Sequence, residues 1–331
     1  MDSTPFWVIL SVIAGFAAAF LLGKLLIPML HALKAGQSIR EVGPKWHSGK
    51  NGTPTMGGLM FIIASVLCIA TGWTAMRDGD CSHLYVLGLA LSYGLIGFLD
   101  DFIKVKFKRN LGLTGLQKLA LQVVVAAAFL YLLYARGDLT CDLYIPFVQK
   151  PVTGIPVVVY LIFAVFVIVG CVNAVNLTDG IDGLASGVTM PVMLFFLLVS
   201  MAANKSGLAT FPAVLLGGLG GFLCYNFYPA QVFMGDTGSL FLGGAVCGLA
   251  FALDMPLVLL LVGLVYLVET LSDILQVGYF KLSHGKRIFK MAPIHHHFEM
   301  CGWKETKIWT VFVGVTVLMC VIAWFGVSIW F

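Results

Sequence analysis

The chain has 331 residues, of which 60% are hydrophobic and 11% are charged. With a mean hydropathy of +0.96, this composition excludes a soluble globular domain. We attribute the formal net charge of +4 to basic loops, rather than to an affinity for nucleic acid.

A membrane-spanning helix needs about 20 mostly apolar residues, and the sequence supplies such runs repeatedly. We therefore predict an all-α, polytopic integral membrane protein. It should form a single domain over residues 1–331, because nothing outside the apolar runs is long enough for a second core. The first run is too long for a signal peptide and has no basic segment before it, so we expect it to be retained. About ten helices are predicted, at residues 5–30, 55–76, 83–99, 118–135, 153–175, 184–203, 207–227, 238–255, 257–277 and 308–331.

Basic residues are concentrated in alternate loops. The loops after the first, third and ninth predicted helices hold fifteen lysines and arginines, and the other loops hold four. Cytoplasmic loops carry the excess of Lys and Arg, so the first set is assigned to the cytoplasm and both termini to the outside. Cys81 and Cys141 fall in predicted outer loops, and the sequence leaves open whether they pair.

The first polar motifs are Lys50–Gly58, with the sequence KNGTPTMGG, and the adjacent carboxylates Asp100 and Asp101. Hard oxygen ligands suit Mg²⁺, which usually takes one or two carboxylates together with substrate phosphates. The alternative is that the acidic pair only caps or solvates a helix end. The basic residues from Lys104 to Lys118 could bind a substrate phosphate or anionic lipid headgroups.

Two amides, a hydroxyl and two carboxylates follow an apolar run at Asn173–Gly183. Carboxylates near membrane depth are costly, so Asp179 and Asp182 indicate a functional site. The alternative is an ordinary polar turn between two helices. Further on, Phe233 precedes Asp236 at the predicted start of the eighth helix. The glycines there let a ligand approach the backbone closely, and a helix N-terminus favours an anion. The aromatic ring of Phe233 could stack on a flat base, or it could simply lie at the membrane interface.

The last motif contains His295, His296 and His297 within the sequence PIHHHFE. Three consecutive histidines cannot all ligate one metal from a regular helix or strand, so we expect the imidazoles to hydrogen-bond a diphosphate. A solvated loop is the alternative. The topology places all these motifs on the cytoplasmic side, which is typical of an enzyme at the membrane surface. Glu269 and Asp273, one turn apart, favour a transporter instead; we expect them to mark a helix end that lines a wet cavity.

In chain order, these motifs resemble those of the phospho-N-acetylmuramoyl-pentapeptide transferases, a branch of the polyprenyl-phosphate N-acetylhexosamine-1-phosphate transferases. The strings TPTMGG and PIHHHFE point to this branch rather than to relatives that use UDP-N-acetylglucosamine. The resemblance implies transfer of phospho-MurNAc-pentapeptide from UDP-MurNAc-pentapeptide to undecaprenyl phosphate, giving lipid I and UMP in the first membrane step of peptidoglycan synthesis. It also implies Mg²⁺, a homodimer, and an active site facing the cytoplasm in a bacterial cell membrane.

The resemblance also implies roles for individual residues. Asp236 and Asp101 are expected to ligate the metal, Asp100 to position or deprotonate the lipid phosphate, and His295 to act with them in catalysis. The substrate-binding residues that it implies are Lys50, Thr55, Lys118, Asn173, Asn176, Asp179, Asp182, Asn226, Phe233, His296 and His297. A sibling transferase that uses UDP-N-acetylglucosamine and a lipid or solute transporter without chemistry are the alternatives. Direct attack and a covalent phospho-aspartate both remain open, although the second pKa of a phosphate monoester, near 6, favours direct attack.

Overall fold

A computed structural model describes residues 4–33, 52–73, 76, 79–107, 109 and 111–331. Within these residues the protein is helical and contains no strand, apart from an isolated bridge between Leu143 and Val152. The helices are α1 (Thr4–Ala32), α2 (Leu59–Cys68), α3 (Ser82–Phe107), α4 (Gly115–Arg136), α5 (Val157–Thr178), α6 (Leu184–Ala202), α7 (Ser206–Asn226), α8 (Gly235–Ala252), α9 (Leu259–Val262), α10 (Leu264–Leu282), α11 (Ile294–Met300) and α12 (Glu305–Val327).

The prediction of an all-α polytopic membrane protein is confirmed. In the described part of the chain, eight helices are long and apolar enough to cross a membrane, and nine if a bent pair counts as one span. The bent pair, Pro256–Val262 and Leu264–Leu282, turns by 81° at Gly263, so the prediction of a continuous ninth helix was wrong. The second predicted span, Leu59–Gly72, is a shorter apolar helix. A count of ten spans, the single domain and the orientation of the termini stay predictions.

The third predicted helix continues beyond residue 99 to Phe107 as α3. Asp100 and Asp101 are therefore part of a helix instead of following one. Lys104 lies one turn after Asp100 and its Nζ is 2.6 Å from Asp100 Oδ2, and such a pair at i and i+4 supports the helix where it leaves the apolar segment.

Helix α8 lies at the centre of the bundle, with 94% of its most apolar stretch buried. The peripheral helices α1, α4 and α12 are each only 28% buried over the corresponding stretch. Glycines let α8 approach α3 closely. A Cβ at Gly248 would lie 2.9 Å from Val86 Cγ1, and one at Gly97 would overlap the backbone carbonyl of Asp236. Small residues at membrane helix contacts allow this approach, which brings the end of α3 against the start of α8.

All eight cysteines are free thiols. Cys81 and Cys141 therefore do not pair, and the bundle is held together by helix packing without a covalent link.

We expect Gly97→Ala to lower the melting temperature of the purified protein. The added methyl group would meet the backbone of Asp236, and overpacking a closely packed contact costs about 1–3 kcal/mol. Gly88→Ala is the matched control, because it lies on the same helix with open space around its Cα and should leave the melting temperature unchanged or raise it slightly. Equal melting temperatures for the two variants would contradict the close contact between α3 and α8.

Candidate active site

Three carboxylates meet where α3 ends and α8 begins. Asp100, Asp101 and Asp236 each offer an oxygen, and these atoms all lie within 4.8 Å of one another. Asp100 and Asp101 are only 2% and 1% exposed. Among the described residues, no other group of three His, Cys, Asp or Glu side chains could hold a metal ion. Hard carboxylate oxygens at this spacing fit Mg²⁺.

Neutral donors fix the carboxylates of α3. Asp101 Oδ2 accepts hydrogen bonds from the backbone N–H of Thr237, at 2.9 Å, and from its hydroxyl, at 2.7 Å. Asp100 Oδ1 accepts one from the backbone N–H of Leu113, at 2.8 Å. The two adjacent carboxylates are thus held by donors from two different segments of the chain.

Two lysines supply the positive charge of the cluster. Lys104 Nζ lies 2.6 Å from Asp100 Oδ2, 3.6 Å from Asp101 Oδ1 and 3.0 Å from Asp236 Oδ2. Lys118 Nζ lies 2.8 Å from Asp236 Oδ2 and 3.8 Å from Asp100 Oδ2. The sequence placed Lys118 in the site, but it did not distinguish Lys104 from the basic residues around it. Three carboxylates outnumber the two ammonium groups, and this excess of acidic groups favours binding of a further cation.

The two asparagines of α5 have different partners. Asn176 Nδ2 donates to Asp236 Oδ1 at 2.9 Å and to the Ser239 hydroxyl at 2.7 Å. Asn173 Nδ2 donates to Gln122 Oε1 at 2.7 Å, and Gln122 is only 1% exposed. The structure therefore brings Asn176 to the carboxylates, whereas Asn173 joins α5 to α4. Gln122 belongs to no motif that the sequence singled out, and Ser239 ends the motif that begins at Phe233 but was given no role.

The residues Asp179 to Gly183 form a loop between α5 and α6, called here the 179–183 loop. Desolvation, together with the negative charges of Asp236, Asp101 and Asp182, raises the pKa of Asp179 to about 8. Asp179 is therefore close to the carboxylate cluster. Asp182 is only 4% exposed, and its Oδ2 accepts a hydrogen bond from the backbone N–H of Ala230 at 2.9 Å.

Thr55 and Phe233 lie in two segments that pair through their backbones. The Phe233 N–H donates to the Pro54 carbonyl at 2.9 Å, and the Gly57 N–H donates to the Phe233 carbonyl at 2.8 Å. A Cβ at Gly235 would lie 2.5 Å from Asp101 Oδ2 and 2.6 Å from Thr55 Oγ1, so the threonine hydroxyl lies beside the carboxylates. The predicted substrate-binding residue Lys50 lies outside the described residues.

Asn226, the last residue of α7, is buried next to the segment that carries Phe233. Its Nδ2 donates to the Val232 carbonyl at 2.9 Å, and its Oδ1 accepts from the Ser186 hydroxyl at 3.1 Å. The amide therefore fixes the segment between α7 and α8 that carries Phe233.

The three histidines lie on the short helix α11 and have different partners. His295 is buried, and its Nδ1 is 2.9 Å from Glu269 Oε2. Its ring packs against Gly180, where a Cβ would overlap it. His296 Nδ1 is 2.6 Å from Glu299 Oε2, and His297 Nδ1 accepts from the backbone N–H of Lys290 at 3.1 Å.

His295 is thus the histidine that packs against the 179–183 loop. Its partner Glu269 is fully buried. The expectation that Glu269 marks a helix end lining a wet cavity was wrong, because the carboxylate is paired with His295 and connects the bent helix α10 to the site.

Comparison with known proteins identifies relatives along most of the chain. The model of glycosyl transferase family 4 matches residues 83–254, and a phospho-N-acetylmuramoyl-pentapeptide-transferase signature matches residues 50–62. The phospho-N-acetylmuramoyl-pentapeptide-transferase of Clostridium acetobutylicum is 48% identical over 96% of this chain and 98% of its own length. The enzymes of the same name from Clostridium novyi and Acetivibrio thermocellus are 46% and 48% identical, over 95% and 96% of this chain and 95% of their own length in both cases.

We expect the protein to bind Mn²⁺, a hard ion suited to oxygen ligands and visible by electron paramagnetic resonance. Asp101→Asn and Asp236→Asn should each weaken this binding by at least about tenfold, because each removes a negative charge from the cluster. Asp138→Asn is the control, since Asp138 is exposed and paired with Arg136 away from the cluster. Unchanged Mn²⁺ affinity in both cluster variants would contradict the assignment of a metal site.

Proposed function

The chain belongs to the phospho-N-acetylmuramoyl-pentapeptide transferases, and we propose that it transfers phospho-MurNAc-pentapeptide from UDP-MurNAc-pentapeptide to undecaprenyl phosphate, giving lipid I and UMP. The observation that carries this proposal is the convergence of Asp100, Asp101 and Asp236 with two lysines at one end of the membrane helices. An oxygen of the lipid phosphate forms a bond to the phosphorus next to the sugar, and the bond from that phosphorus to the UMP oxygen breaks.

We propose that Asp236 and Asp101 hold Mg²⁺, with Asp100 beside them. When bound, Mg²⁺ supplies positive charge that offsets the negative charge on the diphosphate. Asp236 is the residue at which the contacts converge, because Lys104, Lys118 and Asn176 all donate to its carboxylate.

Lys104 and Lys118 neutralise the phosphates in this proposal. Phosphoryl transfer depends mainly on positioning and on stabilising negative charge. Both ammonium groups lie within 3.0 Å of Asp236 Oδ2, so a phosphate that approaches the carboxylates comes into reach of both.

Direct attack by the lipid phosphate is the favoured route. Each of the six oxygens of the three carboxylates faces a donor or an ammonium group, supplied by Leu113, Lys104, Thr237, Asn176 or Lys118. Such contacts reduce the nucleophilicity of a carboxylate. The lipid phosphate, with a second pKa near 6, is largely ionised at neutral pH and needs little help from a base.

We propose that the nucleotide binds near the 179–183 loop, Thr55 and Phe233, with His295 closing the site from α11. His296 and His297 are assigned to the sugar-phosphate end by the resemblance alone, as are Lys50, Asn173 and Asn226 to substrate binding. The basic residues near the site support its placement on the cytoplasmic face of a bacterial cell membrane. There a soluble nucleotide-sugar and a membrane lipid can reach the same carboxylates. The homodimer stays a prediction.

In the presence of Mg²⁺, undecaprenyl phosphate and UDP-MurNAc-pentapeptide, the purified protein should release UMP and form lipid I in equal amounts. Asp236→Asn should lower kcat by about a thousandfold or more, because it removes the negative charge of the carboxylate that Lys104, Lys118 and Asn176 all contact. Asp142→Asn, in the segment that joins α4 to α5, should leave turnover unchanged. UMP release with UDP-N-acetylglucosamine alone would indicate a sibling transferase, and no UMP from any nucleotide-sugar would favour a transporter.

A further inference from the structure

Helix α12 contacts the 179–183 loop through two side chains that no motif contains. Glu305 Oε2 accepts a hydrogen bond from the backbone N–H of Asp182 at 3.1 Å. Trp309 Nε1 donates one to the carbonyl of Gly183 at 2.9 Å. Glu305 and Trp309 are four residues apart, so they lie on the same face of α12. Together they bind backbone groups of two adjacent loop residues, the N–H of Asp182 and the carbonyl of Gly183.

The helix itself fixes the position of Glu305. This residue is the first of α12, after the N-cap Lys304, and a carboxylate is favoured at a helix N-terminus. Glu305 is only 9% exposed. A hydrogen bond from a backbone N–H to a carboxylate is stronger than one between neutral groups, because the acceptor carries a negative charge.

Packing fixes the position of Trp309. The indole lies against Gly187 in the first turn of α6, where a Cβ would overlap it. It also meets the ring of Phe227 edge to face, with the ring centroids 5.3 Å apart and the planes at 90°. Gly183 has a φ of +73°, a conformation that favours glycine, and its carbonyl therefore points in a direction set by this turn. The indole N–H of Trp309 donates its hydrogen bond to the carbonyl in this orientation.

The loop also has contacts outside α12: the Gly183 carbonyl accepts hydrogen bonds from the backbone N–H of Gly187, at 2.8 Å, and from the Ser186 hydroxyl, at 3.1 Å. The side chain of Asp182 accepts a hydrogen bond from the backbone N–H of Ala230. Gly180 packs against the ring of His295. Glu305 and Trp309 add contacts from α12 to the N–H of Asp182 and to the carbonyl of Gly183. A shift of these backbone groups would also move Asp179, which belongs to the same short loop.

We infer that Glu305 and Trp309 are positioning residues for nucleotide binding: they hold the 179–183 loop in place without touching the substrate. The inference rests on the proposed function. It extends the site to α12, beyond the residues 83–254 and 50–62 that match the family model and the signature.

The test is steady-state kinetics of Glu305→Ala and Trp309→Phe with UMP as a competing product. Each variant should raise the KM for UDP-MurNAc-pentapeptide and the inhibition constant of UMP by about three- to tenfold, as expected for the loss of one hydrogen bond. The kcat and the KM for undecaprenyl phosphate should change by less than about twofold, because the carboxylates and lysines keep their contacts. Trp309→Phe retains an aromatic ring and so keeps most of the packing.

Two further variants separate positioning from general damage. Glu305→Gln keeps an oxygen that can accept from Asp182, so its KM for the nucleotide substrate should lie closer to the wild-type value than that of Glu305→Ala. Trp324→Phe removes an indole from the same helix far from the loop, and all its constants should match those of the wild type. Melting temperatures of all the variants show whether they are folded.

The inference is overturned if Trp309→Phe and Glu305→Ala match the wild type, if the KM values for both substrates rise in parallel, or if kcat alone falls. An unchanged Trp309→Phe would mean that the ring only lies at the membrane interface. A wild-type protein that releases no UMP would overturn the proposed function and this inference together, so the two failures are distinguishable.

Discussion

Repulsion among three carboxylates is the constraint on which the site depends. Asp100, Asp101 and Asp236 lie within 4.8 Å of one another at the end of two membrane helices, where like charges at short range repel one another. Two ammonium groups, an amide and the donors of Thr237 offset this cost. The arrangement retains an excess of negative charge, which is the electrostatic condition for holding a divalent cation close to a diphosphate.

Close helix packing brings these charges together. Apolar lipid gives membrane helices little hydrophobic reason to associate, so small residues and hydrogen bonds determine which helices meet. Gly97 lets α3 reach the backbone of Asp236. The start of α8 then supplies both a carboxylate and the backbone N–H of Thr237, since the first N–H groups of a helix have no partner within it. One close contact therefore sets both the position of the acidic residues and part of their hydrogen bonding.

Loops complete the site, and their backbone groups need partners at the edge of the membrane. The 179–183 loop obtains backbone partners from Glu305 and Trp309 of α12 and from the N–H of Gly187 in α6. Glu305 and Trp309 are more than a hundred residues away along the chain from the loop residues that they bind. The shape of the nucleotide region is thus coupled to the last helix of the bundle.

The helical membrane class, the family and most of the acidic residues of the site were predictable from the chain alone, because long apolar runs and charges within them are local features. The pairing of side chains was not predictable: Lys104 shares the carboxylates, Asn176 joins them while Asn173 pairs with Gln122, and Glu269 is buried against His295. The tertiary structure also decided that the ninth predicted helix bends at Gly263. The physical reason is that the partner of a polar side chain depends on how distant helices face one another, and local composition does not contain that information.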